Sequence, residues 1–355
     1  MESYKAIGVM SGTSLDGLDI VLCEFSYKDK WNFEILKSET ITYSDEWKNK
    51  LLNAPVITGY DLSILNKEFG NFIGHSVNKF KQDINFNIDL IASHGHTVFH
   101  QPEKKLTLQI GDGHEIAVVT NILTISDFRS MDVALGGQGA PLVPIGDKLL
   151  FNNYDFYINL GGFANISFEN IDQRLAYDIC PANIILNYLA NKLNHEYDKN
   201  GALGFLGKLD TKLLTELNKL EYYKKDYPKS LGKEWLIDEF IPVLDKSEIS
   251  VKDKIRTVYE HIAIHISNAL NIKKQSTSIF TGGGVYNRFL INLIKQKTNS
   301  EIIIPEKEII EFKEAVIFAF LGVLRFNKKI NCLSSVTGAQ KDSSGGIIHT
   351  PRENY

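Results

Sequence analysis

Basic charge has no surplus in this chain: 39 Lys and Arg stand against 43 Asp and Glu, a formal net charge of −4. With no basic stripe to follow a phosphate backbone, a nucleic-acid partner is not expected. Cysteine is scarce. Cys23, Cys180 and Cys332 are odd in number and far apart, which suits reduced thiols in the cytosol better than a disulfide framework. Long hydrophobic runs are missing too; the longest, residues 315–324, covers about half a membrane span. The first residues enter an apolar strand without a basic n-region or an h-region, so neither a signal peptide nor a membrane partner is expected. These absences predict a cytoplasmic protein. Hydrophobic residues, at 43%, are ample for globular cores, and 355 residues exceed what one core usually supports, so two domains are expected.

Familiar catalytic strings are also absent. Residues 201–208 come nearest to a Walker loop, but their spacing is wrong and Leu209 follows the lysine. Gly282-Gly283-Gly284-Val285-Tyr286-Asn287 lacks the last glycine of a dinucleotide fingerprint and falls late in the chain. His261 and His265 lie one helical turn apart, yet Glu260 precedes the first, so the zincin order is missing and satisfied core or surface histidines are expected. No Gly-x-Ser-x-Gly elbow occurs.

What the chain does have is glycine gathered at turns. Residues 9–19 read Val-Met-Ser-Gly-Thr-Ser-Leu-Asp-Gly-Leu-Asp between two apolar runs, which predicts strand, tight turn, strand. Ser11, Thr13 and Ser14 add hydroxyls to backbone N–H groups around Gly12 and Gly17, and Asp16 and Asp19 stand where a phosphate-bound cation could be met. An ordinary β-turn needs only one or two glycines and remains the alternative. A second strand runs into Gly161-Gly162 and is followed by the period-2 pattern of Ala164, Ile166 and Phe168. Two such units about one domain length apart suggest a duplicated architecture. A third cluster, Gly282-Gly283-Gly284, joins an apolar strand to a helix-like stretch, a junction at which a nucleotide can approach backbone and helix end.

Residues 31–86 are mixed and mostly helical in pattern, with Leu62, Leu65, Phe69, Phe72 and Ile73 at helical spacing. Short strands are expected at residues 88–92, 106–110 and 122–126. The first runs into His94, His96 and His100, which read either as a metal cluster or, with no carboxylate pattern to complete a zinc set, as hydrogen-bonding groups for a sugar. Residues 136–144, with three glycines in four residues and then Pro141 and Pro144, form the best candidate for a crossover between domains. Asp178 ends an expected strand and precedes an expected helix reaching Leu193. It is either an ionised general base at the mouth of a cleft or a helix N-cap.

Together these strings resemble the anhydro-N-acetylmuramic acid kinase family, sugar kinases of the actin/Hsp70/hexokinase superfamily. Met-Ser-Gly-Thr-Ser-Leu-Asp-Gly from Met10 and Gly-Gly-Gln-Gly-Ala-Pro-Leu-Val-Pro from Gly136 are its most specific strings, and the resemblance covers nearly the whole chain. It implies an α/β fold of two ribonuclease-H-like (actin-like ATPase) domains with an active-site cleft between them. We expect residues 1–140 to carry the first phosphate loop, and residues 141–355 the second loop and the adenosine site. It implies ATP contacts from Gly12, Thr13, Ser14, Leu15, Asp16, Gly17, Leu18, Asp19, Gly161, Gly162, Gly282, Gly283, Gly284 and Asn287. His96, Arg129, Gly137, Gln138 and Glu314 would face the sugar, and Asp178 would deprotonate the attacking water. Mg²⁺ would be held by Asp16 or Asp19, and a homodimer is expected.

The implied reaction opens the internal ether of 1,6-anhydro-N-acetylmuramic acid with water and passes the ATP γ-phosphate to the freed hydroxyl. N-acetylmuramic acid 6-phosphate and ADP result, in peptidoglycan recycling. One segment departs from the family pattern Asp-x-Gly-Pro-Gly-Asn: here Cys180 and Ala182 replace the glycines, and Asn187 stands where the family has an aspartate. Two other readings use the same residues, a nucleotide-binding regulatory protein and a kinase for another amino sugar. Retention of Asp178, Arg129 and Glu314 together argues against the first, because a pure switch needs only the phosphate loops.

Overall fold

The computed structural model describes residues 2–12, 14–171, 173–227 and 229–351, so Thr13 lies outside the described residues. Two compact units form: Met1–Asn152 together with Phe312–Tyr355, and Asn153–Glu311. The units do not divide at residue 140, and the chain's last stretch belongs to the first of them. Close packing explains the return. A Cβ on Gly8 would stand 1.9 Å from the carbonyl oxygen of Ala315, and one on Gly146 2.6 Å from Ile317, so the helix Lys307–Phe326 lies directly on first-unit backbone. The buried Lys313–Asp147 ion pair, 2.7 Å, ties that helix to the helix Val143–Leu150. The loop at residues 136–144 is therefore internal to the first unit, and the chain passes between units near Asn152 and Glu311.

The first unit is built on a seven-stranded sheet: β1 (Glu2–Ser11), β2 (Gly17–Tyr27), β3 (Trp31–Thr42), β4 (Leu90–Gln101), β5 (Leu106–Ile110), β6 (Thr124–Ser126) and β12 (Ile347–His349). Its order is β12-β6-β4-β1-β2-β3, with β5 added on β4. The run β3-β2-β1 is antiparallel, and β1, β4 and β6 are parallel. Alternate residues Ile7, Val9, Ile20 and Leu22 meet Leu65, Phe69, Ile73 and Val77 of the helix Gly59–Phe80. Period 2 on the strands thus faces period 3.6 on the helix.

The second unit repeats the plan. Its strands are β7 (Phe156–Leu160), β8 (Phe163–Asn170), β9 (Gln173–Pro181), β10 (Thr277–Thr281) and β11 (Glu301–Ile303). They lie in the order β11-β10-β7-β8-β9, again an antiparallel meander whose first strand is flanked by parallel ones. This shared order, third-second-first-fourth-fifth, is the ribonuclease-H-like topology, and the duplicated α/β architecture expected from the glycine turns is met.

Three elements differ from expectation. β3 is a full strand where a mostly helical stretch was expected, because its partly buried positions, Phe33, Ile35 and Lys37, alternate beside β2. β4 extends through Gln101, so His94, His96 and His100 are strand residues. β9 continues to Pro181, and the following helix, Asn183–Asn191, starts later than the sequence suggested. Among the described residues no helix is long and apolar enough to cross a membrane, and the three cysteines are buried and form no disulfide.

Candidate active site

On the first unit, four elements gather chemistry at the C-terminal ends of the parallel strands, where α/β sheets collect ligands. After β1 comes the turn at residues 12–16, closed by a Leu15 N–H to Gly12 carbonyl contact of 3.4 Å and by Leu15 at φ 60°. Ser14 and Asp16 are exposed, Leu18 is wholly buried in the core, and Asp19 accepts a 2.6 Å hydrogen bond from the Thr40 hydroxyl. From β4, His96 Nδ1 lies 3.1 Å from Ser11 Oγ, which also receives the Tyr43 hydroxyl at 2.7 Å. Burial holds His96 down to about 4, so it is neutral at physiological pH.

Arg129 follows β6 and is fixed from both sides. Its Nε donates to His94 Nε2 at 3.0 Å and its Nη1 to the Gly139 carbonyl at 2.6 Å. His94 Nδ1 meets the Gly95 carbonyl at 2.9 Å, and burial, then the Arg129 charge, keep His94 far below its usual pKa. That neutral ring with a bare Nε2 is the acceptor Arg129 needs. The glycine loop is held by Asp132, which no pattern in the sequence singled out. Its carboxylate accepts from the Gly139 N–H (2.7 Å), the Thr337 hydroxyl (2.7 Å) and the Cys332 thiol (3.1 Å). Gly137 is a packing glycine, its absent Cβ falling 2.3 Å from Asp132 Oδ2, whereas Gln138 is exposed and tied by its N–H to the Thr337 carbonyl. Glu314 has an accessible side chain crowded by surrounding protein. Desolvation raises its carboxyl, opposed by the charges of Arg129 and Lys313 and aided by Asp19. Glu314, Arg129 and Asp19 therefore share one electrostatic neighbourhood.

On the second unit, the turn after β7 consists of Gly161 and Gly162. Their carbonyls accept from the N–H groups of Ala182, Asn183 and Ile184, so the turn is laced to the start of the helix Asn183–Asn191. Cys180 is wholly buried and Ala182 sits at φ −125°, so the two departures from the family glycines are absorbed without left-handed backbone. Beside this turn, Gly282 (φ +83°) and Gly284 pack on Asn159 and Leu160, and Gly283 stands clear. Asn287 caps the helix Arg288–Lys295 through its Oδ1 and donates to the Tyr259 hydroxyl, so its side chain serves the fold.

Asp178 lies inside β9, opposite Asn165 and next to a register shift, and it is not a helix cap. Such irregularities re-aim side chains beside functional sites. Its Oδ2 accepts the Leu231 N–H at 2.9 Å, its own N–H reaches the Lys229 carbonyl, and the Tyr222 hydroxyl donates to its carbonyl at 2.5 Å. Burial raises its pKa and the Leu231 hydrogen bond only partly offsets this. The result is a carboxyl with one oxygen fixed and enhanced proton affinity, as general-base work requires.

A test separates structural glycines from those the fold does not need. A Cβ on Gly17 would stand 2.6 Å from the Ile41 carbonyl, so packing demands that glycine. Gly12 and Gly161 would meet nothing closer than 3.4 Å, Gly162 nothing closer than 3.7 Å, and Gly283 nothing within 4 Å; none of the four has positive φ. Bare backbone is thus left open at all three glycine turns, the surface that phosphate oxygens use. Among the described residues no three His, Cys, Asp or Glu side chains group to hold a metal. A Mg²⁺ at exposed Asp16 would complete its shell with phosphate oxygens and water, which is how this ion binds in nucleotide sites. His261 is buried between Asn218 and Tyr223, with His265 stacked on Tyr223, the satisfied core pair the sequence suggested.

A family model described as anhydro-N-acetylmuramic acid kinase matches residues 4–351. Curated proteins named anhydro-N-acetylmuramic acid kinase are similar along their full length. The one from Francisella tularensis subsp. novicida is 34% identical over 372 residues, covering 96% of this chain and 97% of that protein. The Sulfurimonas denitrificans protein is 33% identical over 368 residues (97% and 98%), and that of Clostridioides difficile 33% over 381 residues (98% of each).

Proposed function

The chain belongs to the anhydro-N-acetylmuramic acid kinase family, and from that premise we propose that it hydrolytically opens 1,6-anhydro-N-acetylmuramic acid and phosphorylates it with ATP, as a cytoplasmic step of cell-wall recycling. The observation that carries the nucleotide part is the open backbone at Gly12, Gly161, Gly162 and Gly283, which the fold itself does not require. The chemistry is assigned to Asp178. With Oδ2 held by Leu231, the other oxygen takes a proton from water as that water attacks the anomeric carbon.

The C1–O6 bond breaks, and O6 takes the γ-phosphoryl group instead of a proton while the bond to the β-phosphate oxygen breaks. The water's remaining O–H becomes the anomeric hydroxyl, and its proton leaves by way of Asp178. Arg129, pinned by His94 and Gly139, is a fixed cation for the sugar's carboxylate, and Gln138 and Glu314 offer polar groups on the same unit. Mg²⁺ at Asp16, with Asp19 near, would neutralise charge on the ATP phosphates.

Incubation with the anhydro sugar, ATP, Mg²⁺ and ¹⁸O-water, read by mass spectrometry, tests the whole. N-acetylmuramic acid 6-phosphate bearing one ¹⁸O at the anomeric hydroxyl is expected. Phosphorylated product without the label overturns the hydrolytic step, and no product overturns the substrate.

A further inference from the structure

Three side chains from three strands or loops of the first unit form a closed polar chain: Tyr43, Ser11 and His96. Tyr43 is 2% exposed and Ser11 1%, so each of the two hydroxyl hydrogens must find a protein acceptor. Ser11 Oγ lies 2.7 Å from the Tyr43 hydroxyl and 3.1 Å from His96 Nδ1, and among the described residues the tyrosine makes no other hydrogen bond. If Ser11 donated to Tyr43, the phenolic hydrogen would be buried without an acceptor. If His96 Nδ1 carried the proton, the serine hydrogen would be orphaned instead. One arrangement satisfies both hydroxyls: Tyr43 donates to Ser11, and Ser11 donates to a bare His96 Nδ1. A neutral imidazole then carries its proton on Nε2.

That nitrogen has no hydrogen-bond partner among the described residues and is not sealed from solvent. It sits beside the open turn, because Ser11 is both the register partner of His96 across β1 and β4 and the residue before Gly12. We propose that Tyr43 and Ser11 are positioning residues that lock His96 as an Nε2–H donor to an acceptor oxygen of the sugar. The proposal rests on the substrate reading above for its ligand, but not for its tautomer. Burial, which keeps the ring neutral, agrees with it.

Nitrogen NMR of ¹⁵N-histidine-labelled protein without ligand, assigned with His96→Gln, reads the tautomer directly. A bare Nδ1 and protonated Nε2 are expected, turning into a tautomer mixture in Tyr43→Phe and in Ser11→Ala. Tyr43→Phe keeps the ring in the core, so it guards against a misfolded serine variant. Kinetically, Tyr43→Phe should raise the sugar KM about three- to tenfold, the loss of one neutral hydrogen bond, and leave the ATP KM unchanged. A protonated Nδ1 in the unmodified protein overturns the relay. An unchanged sugar KM in a Tyr43→Phe protein whose tautomer has shifted overturns the donor role. A correct tautomer in a protein inactive on the anhydro sugar removes only the substrate assignment.

Discussion

The two units lay five strands in the same order, yet the turns after their first strands differ in kind. After β1 the chain spends residues 12–16, among them Ser14, Leu15 at φ 60° and the exposed Asp16. After β7 it spends only Gly161 and Gly162, with no side chain, and laces their carbonyls to the helix Asn183–Asn191. A common sheet order decides where an anion can approach, and the turn decides what meets it there. The first turn can answer with the Ser14 hydroxyl and the Asp16 carboxylate, the second only with backbone. The proposed roles follow the same asymmetry: the cation Arg129 is assigned on the first unit and the base Asp178 on the second.

The largest expected effect breaks that asymmetry on its acceptor side. Asp178→Asn should lower turnover by about a hundred- to ten-thousand-fold, the usual contribution of a positioned base, with ATP binding near wild type. Its stability signature has a definite sign. The folded state raises the pKa of Asp178, so ionising it at neutral pH opposes folding, and a permanently neutral asparagine should melt at the same temperature or higher. Because the base must be ionised to act, kcat/KM should rise with pH through a value above the ordinary aspartate range. A destabilised Asp178→Asn with intact turnover per folded molecule would return this residue to a structural role.

A smaller effect sharpens the contrast between glycines. Gly17→Val forces a side chain onto the Ile41 carbonyl and should cost about 1–3 kcal/mol in stability as overpacking does. The Cβ of Gly161→Ala meets only ordinary contacts, so melting should hold while calorimetry shows ATP affinity falling several-fold. Unchanged ATP binding in that folded variant would remove Gly161 from the nucleotide surface. The smallest effect concerns the anchor under the glycine loop. Asp132→Ala leaves the Gly139 N–H without its acceptor and the Thr337 hydroxyl with only the longer contact to the Leu333 carbonyl, and should cost about 1–3 kcal/mol. It should also weaken sugar binding through the loosened Arg129–Gly139 contact, which a KM measurement would register.

Local signals carried the reading of sequence a long way. The strand–glycine–strand units around Gly12 and Gly161 and the junction at Gly282 were legible because glycine pairs between apolar runs report on a few neighbouring residues. β3 was not, because Lys37 takes one of its partly buried positions and Leu36 an exposed one, which breaks the alternation. Asp178 was singled out by type and context but misplaced in the fold: nothing near it in sequence reveals that Leu231, 53 positions away, holds its oxygen. Tyr43 and Asp132 were invisible for the same reason, since their partners lie tens to hundreds of residues off. The glycine-rich loop at residues 136–144 looked like a crossover between domains because composition cannot tell a linker from a tightly packed loop.

The return of the helix Lys307–Phe326 to the first unit has a consequence for synthesis. β1 and β2 are made first, but the surface that covers Gly8 emerges from the ribosome some three hundred residues later. At translation speeds of about 5–20 residues per second, the early sheet waits roughly fifteen seconds to a minute with one face bare. Meanwhile Asn153–Glu311, contiguous in sequence, holds all its own strands and can close before its elder neighbour. The half that begins first is thus the one that cannot be completed until the last of its sequence is made, and β1 is the strand left uncovered in the meantime.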